Sequence, residues 1–148
     1  MKKKIAFLLG SADISGGTYV IFQHALYAHS EGSIVTIFTD EKVNENQLDW
    51  HPEAKNLQWK TYSEVTDSNQ YDYVFATWWK TIFNLTKIRA HHYCYFVQSI
   101  ESWFYPESET NLRNLVESTY SLPLNFITEA TWIKDFLSQE YNQKPSLA

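Results

Sequence analysis

Little in this chain can act as covalent or electrostatic scaffolding. A single cysteine, Cys94, stands among 148 residues, so no disulfide can form within the chain. Cys94 lies inside an apolar run and reads as core packing, because a reactive thiol belongs in an electropositive, partly open place. The expected compartment is a reducing one. Glycine and proline number only four each, which excludes a low-complexity, collagen-like or linker chain. Lysine and arginine total 12 against 17 acidic residues, for a net charge of −5. The one basic run is Lys2-Lys3-Lys4, so a clustered basic face for nucleic acid is not expected. No apolar segment approaches the roughly 20 residues that a membrane span needs. The run from Ile5 to Leu9 is too short for a secretory signal, and no small-residue cleavage site follows it. These absences lead to the expectation of a cytoplasmic domain, at most in peripheral contact with the inner face of a membrane.

What the chain has in excess is aromatic. Six tryptophans, ten tyrosines and nine phenylalanines make up 17% of it. Many must be core, yet Trp78-Trp79 and Trp103-Phe104-Tyr105 fall where strands are expected to end. Rings with polar tips at such places suit sugars or apolar partners.

The rest of the pattern alternates strands and helices. The apolar run Lys4 to Leu9 predicts a first strand. Gly10-Ser11-Ala12-Asp13-Ile14-Ser15-Gly16-Gly17 predicts a turn, and a helix is expected from about Thr18 to Ser30, ended by Gly32. In that helix Val20, Ile21, His24, Ala25 and Ala28 form the expected inward stripe, widened by Phe22 and Leu26. Ile34 to Thr39 is almost continuous in β-formers, as in a strand covered on both faces. A polar stretch from Glu41 to Glu53 with a helical turn, a short strand at 57–62 and a polar connection from Ser63 to Gln70 come next. Then follow a strand over 73–78, a helix over 80–89, and a strand over 93–97 with His91-His92 ahead of it. After the loop 98–106 come a helix over 108–120 with Leu112, Leu115 and Val116 inward, a strand over 124–128, and a last helix capped by Thr131. This order predicts an α/β fold: one Rossmann-like, doubly wound, mostly parallel sheet with helices on both faces, occupying residues 1–148 as a single domain.

Ligands in such sheets bind at the carboxyl ends of the strands, near the reversal of strand order. That places Gly10 to Gly17, Thr77 to Trp79 and Gln98 to Trp103 in view. Gly16 and Gly17 can take positive φ and bring a ligand close to the backbone, beside a helix start that favours a phosphate or carboxylate. An ordinary tight turn explains the same glycines equally well. The turn lacks the G-x-G-x-x-G spacing of a dinucleotide site, and no P-loop is present. Asp40 reads as a turn residue. Adjacent His91 and His92 would point to opposite faces of a strand, His24 reads as a satisfied face residue, and His29 and His51 as exposed, so no metal site is expected.

Several of these stretches match one family. The first strand, Gly16-Gly17 and residues 32–39, read Gly-Ser-Ile-Val-Thr-Ile-Phe-Thr, resemble the start of retaining GT-B glycosyltransferases of the glycogen-synthase-like superfamily, family 4 in the sugar-transferase classification. Residues 72–79 resemble its fourth strand. Tyr95-Phe-Val-Gln-Ser-Ile-Glu-Ser-Trp-Phe-Tyr-Pro106 is similar to the "FVQD-E-FYP" stretch of bacterial rhamnosyltransferase-like members that build surface polysaccharides. Residues 120–134 resemble the strand and helix that end that family's N-terminal domain. The resemblance implies transfer of a sugar from a nucleoside-diphosphate sugar to a glycan or lipid-linked acceptor, with no other cofactor and no metal. It implies Gly16 and Gly17 on the donor-phosphate side and Asp13, Trp79, Gln98, Ser99 and Trp103 around the acceptor. Glu101 is its candidate catalytic group, with a local helix-capping role as the alternative. Ser99 stands where relatives carry Asp. It further implies a C-terminal domain that binds the nucleotide sugar, in cis or in trans, and these 148 residues alone as catalytically silent, with at best weak sugar or acceptor binding. A non-catalytic binding or assembly domain that pairs with a donor-binding subunit is the alternative, and a flavodoxin-like response domain a third. The latter would need clustered acids that Asp13 alone does not provide.

Overall fold

The structure, a computed structural model, describes residues 2–66 and 70–148. The polar connection expected over 63–70 therefore lies partly outside the described residues. Seven strands form one sheet in the order β3-β2-β1-β4-β5-β6-β7. They are β1 (Lys4–Leu8), β2 (Ile34–Thr39), β3 (Gln58–Thr61), β4 (Gln70–Ala76), β5 (Arg89–Phe96), β6 (Asn125–Thr128) and β7 (Ser146–Leu147). Three α-helices accompany them: α1 (Gly16–Ser30), α2 (Thr110–Ser118) and α3 (Thr131–Tyr141). The pairs β1/β2, β1/β4, β2/β3, β5/β6 and β6/β7 are all parallel. This is the Rossmann-like α/β architecture. The chain divides into two compact units, 1–93 and 94–148.

In the first unit β1 is bracketed by β2 and β4, and Ala6, Phe7 and Leu8 of it are buried. Ala6, Leu8, Ile37, Phe38, Val74 and Ala76 are fully buried there. Helix α1 contributes Thr18, Ile21, Phe22 and Ala25, an i, i+3, i+4, i+7 stripe. It starts two residues earlier than the periodicity predicts, so Gly16 and Gly17 form its first turn. Neither has positive φ; among the described glycines only Gly32 does, at 96°, where it ends α1. The expected left-handed freedom of the pair is thus unused.

Residues 79–87 form 3-10 turns and not the α-helix expected over 80–89. The apolar residues explain this. Trp79, Ile82, Leu85 and Ile88 recur every third position and are all buried, which suits three residues per turn. Thr81 organises the entry. Its Oγ1 accepts from the Thr77 and Trp78 amides at 3.1 Å each and donates to the Trp78 carbonyl at 2.7 Å. His91 and His92 lie within β5, not ahead of it.

The second unit packs Tyr95, Phe96, Val97, Ile100, Val116, Tyr120, Ile133 and Leu137 into its own core. Four details depart from expectation. Leu115 is 45% exposed and does not join the inward stripe of α2. Helix α2 also spans only 110–118, passing into a 3-10 turn at 119–121. The N-cap of α3 is Ala130, which supplies no side-chain cap, with Thr131 already inside the helix. Strand β7, only two residues long, carries no periodicity and was not expected.

Steric demand falls on Gly10 and Gly32. A Cβ on Gly10 would stand 2.6 Å from the Trp78 ring. Gly10→Ala is therefore expected to lower unfolding free energy by about 1–3 kcal/mol through overpacking, and Gly32→Ala by about 1 kcal/mol through its positive φ. Urea unfolding of the two variants measures both.

Candidate functional site

The reversal of strand order lies within the first unit, at β1 and β4, where α-β sheets of this kind open a crevice beyond the strand ends. The loop leaving β1 is pinned at four points. Leu9 N–H donates to the Phe38 carbonyl at 2.9 Å, and Thr77 Oγ1 donates to the Leu8 carbonyl at 2.7 Å. Thr18 Oγ1 donates to the Ser11 carbonyl at 3.3 Å, and Trp50 Nε1 to the Ala12 carbonyl at 3.0 Å. Ser15 caps α1, its Oγ accepting from the Thr18 amide at 3.0 Å. Gly16 and Gly17 are exposed in the first helical turn, and a Cβ on Gly16 would meet nothing within 4 Å. The protein's own packing therefore does not require glycine at position 16. Asp13 is exposed on the same loop.

Trp79 is only 4% exposed, part of the three-residue stripe, and does not present its ring to solvent. The half-buried ring beside Gly10 belongs to Trp78, with Lys80 Nζ 4.9 Å from its centroid. Beneath α1 sits a second cluster that the sequence did not announce. The His51 ring lies 5.4–5.7 Å from those of Phe22, Trp50 and Tyr19. Its Nδ1 is buried with no partner among the described residues. His51 is thus half-buried, not exposed as expected. Its neighbours come from α1 and from 50–51, so no local periodicity could reveal it. A separate concavity of about 500 Å³ opens at the ends of β2 and β3, with Thr39, Lys42, Lys55, Trp59, Lys60 and Glu64 among its lining. No group of three or more His, Cys, Asp or Glu able to hold a metal occurs among the described residues.

In the second unit the segment after β5 carries Gln98 and Ser99, both half-buried, and then a 3-10 turn over Glu101–Phe104. Glu101 is fixed from two sides. Its amide donates to the Tyr120 hydroxyl at 2.9 Å, and its Oε1 accepts from the buried Tyr95 hydroxyl at 3.3 Å. Glu101 thus anchors its turn to two core tyrosines and does not cap it, the N-cap position belonging to Ile100. Trp103 is 52% exposed and stacks on Trp132.

Burial raises the Tyr95 hydroxyl well above the ordinary phenol range, and the Glu101 charge adds to it. Burial raises Tyr120 as well, opposed by the Glu101 amide that donates to it. Burial also pushes the Cys94 thiol up to about 11, in keeping with its core placement. These groups are neutral in both states below about pH 8, so their contribution is complete there. It is lost as the pH rises and the unfolded state sheds protons first. The urea midpoint is expected to stay level from about pH 6 to 8 and to fall from about pH 9 through 11. A level midpoint through that upper range would contradict the buried placements.

No protein-family model matches the chain, and no curated protein matches it.

Proposed function

We propose that this chain is the acceptor-side part of a glycosyltransferase, moving a sugar from a nucleoside-diphosphate sugar to a surface-polysaccharide or lipid-linked glycan acceptor. The observation that supports this most is the start of α1. A serine-capped helix opens with two side-chain-free residues, at the reversal of strand order, with open space beside Gly16. In the transfer, the bond from the anomeric carbon to the terminal phosphate oxygen breaks, one to an acceptor hydroxyl oxygen forms, and the hydroxyl proton passes to the departing diphosphate. The leaving diphosphate gains negative charge, and a helix N-terminus is suited to meet it. Gly16 and Gly17 take the donor-phosphate side. In the first unit Asp13 is assigned to an acceptor hydroxyl; in the second, taken by itself, Gln98 and Ser99 are assigned to acceptor hydroxyls and Glu101 to orienting the turn that carries Trp103. The nucleotide itself is assigned to a second domain, in cis or in trans, because group transfer needs both reactants held in register.

Two measurements test this. Titrating the labelled chain with UDP, GDP and dTDP should shift the amide signals of residues 15–18, weakly and at millimolar ligand. Gly16→Ala should abolish those shifts while leaving stability unchanged or higher by about 0.5–1 kcal/mol, since alanine fits an open helical position. No response at residues 15–18, or a variant that responds like wild type, would remove the donor-phosphate assignment. Turnover of a nucleotide sugar by the 148-residue chain alone would overturn the division of labour.

A further inference from the structure

The second unit carries an aromatic feature that runs from its core to its surface. Tyr95 stacks on Tyr120 at 6.0 Å, and Tyr120 meets Tyr141 edge-on at 5.4 Å. Tyr141 leads to Phe136 at 5.9 Å, and Phe136 meets the Trp103 ring edge-on at 5.3 Å. Trp103 then lies nearly parallel to Trp132, with centroids 6.0 Å apart and 14° between planes. Tyr95 and Tyr120 are buried and Phe136 and Tyr141 half-buried, whereas Trp103 and Trp132 are each 52% exposed. Two large apolar rings are thereby held at the surface in one orientation. Their backbone is fixed as well: Trp103 N–H donates to the Ile100 carbonyl at 3.0 Å, and Trp132 sits in the first turn of α3. Holding the rings in place beforehand removes much of the ordering cost of binding a ligand against them.

We infer that Trp103 and Trp132 form a stacking platform for an uncharged pyranose unit of a glycan. Three observations select that ligand class. Trp103 and Trp132 each leave about half of their surface open, and indole rings suit the C–H-rich face of a pyranose. Neither indole N–H has a hydrogen-bond partner among the described residues, so each ring edge keeps a donor for a hydroxyl. The charge of the surrounding unit points the same way. Residues 94–148 hold seven carboxylates against three basic side chains, which repels uronate or phosphorylated sugars, anionic lipid and nucleic acid. The glycan class rests on the sugar-handling function proposed above, but the binding itself requires no transfer.

The test uses the full 148-residue chain and follows the indole N–H signals by NMR, with Trp103→Phe and Trp132→Phe serving to assign them. Probes are the neutral tetrasaccharides of glucose, galactose and rhamnose, and tetragalacturonate as the charged control. At least one neutral probe should move the signals of Trp103 and Trp132 together, with millimolar affinity. Tetragalacturonate should bind at least about fivefold more weakly at low salt. Trp103→Ala and Trp132→Ala should each weaken the neutral probe by about tenfold, a loss of about 1.4 kcal/mol. Unchanged circular dichroism and melting would confirm that both variants fold, and the milder Trp132→Phe, expected to lose less, guards against one that does not. Silent indoles with every neutral probe, equal binding of the charged control, or alanine variants that bind like wild type would overturn the platform. So would movement of the two signals with protein concentration alone, which would make the patch a contact between copies. Failure of the nucleotide titration at residues 15–18 would leave this result standing, so the two readings fail separately.

Discussion

The structure depends first on β1 having a parallel partner on each side. A strand in that position must be apolar on both faces and can spend none of its side chains on solvent. The chain meets that demand with Ala6, Phe7 and Leu8, all buried between β2 and β4, while Lys4 at the strand's entry stays exposed. Everything polar is then displaced to the loop beyond Leu8, where the carbonyls of Leu8, Ser11 and Ala12 each accept a hydrogen bond from a side chain elsewhere in the unit. The start of α1 is thereby fixed by contacts distant in sequence. Its capping serine and bare first turn owe their position to Thr77, Trp50 and Thr18 as much as to their own loop.

The Trp78 ring on Gly10 shows how one aromatic residue sets the local geometry. The ring takes the space that a side chain on Gly10 would fill, so the glycine is needed for packing. At Gly16 the space remains open. Gly10, in the loop, and Gly16, in the first turn of α1, thus answer to different requirements. In the second unit the tyrosine pair around Glu101 has a similar organising role, joining the turn at 101–104 to the core through one amide and one carboxylate oxygen.

Much of the fold was legible because parallel strands and amphipathic helices have simple periods. The apolar β-branched run at Ile34–Thr39 named its strand to the residue, and Gly32 marked the end of α1. The misreadings share a cause: signals that belong to other periods or to tertiary contact. Trp79, Ile82, Leu85 and Ile88 repeat every third residue, and a search for 3.6-residue periodicity absorbed them into an α-helix. Leu115 is helical and apolar, yet nothing in its own segment reveals that it faces outward. The packing of His51 on Phe22 and the stacking of Trp132 on Trp103 each unite residues 29 positions apart, beyond what spacing along a chain can report. The candidate site was therefore readable as a set of loops, and not as a set of side-chain orientations.

The sheet's two borders bear on how copies of this chain behave in concentrated solution. They are β3, four residues long, and β7, only two. An unpaired border is a template on which another polypeptide can add a strand, and its reach scales with the length of free backbone. Borders this brief, one bearing Lys60 and the other preceded by Pro145, give an incoming strand few amides to pair with. Fibre-like growth through backbone addition is disfavoured, although the sheet's interior is rich in the residues that promote it.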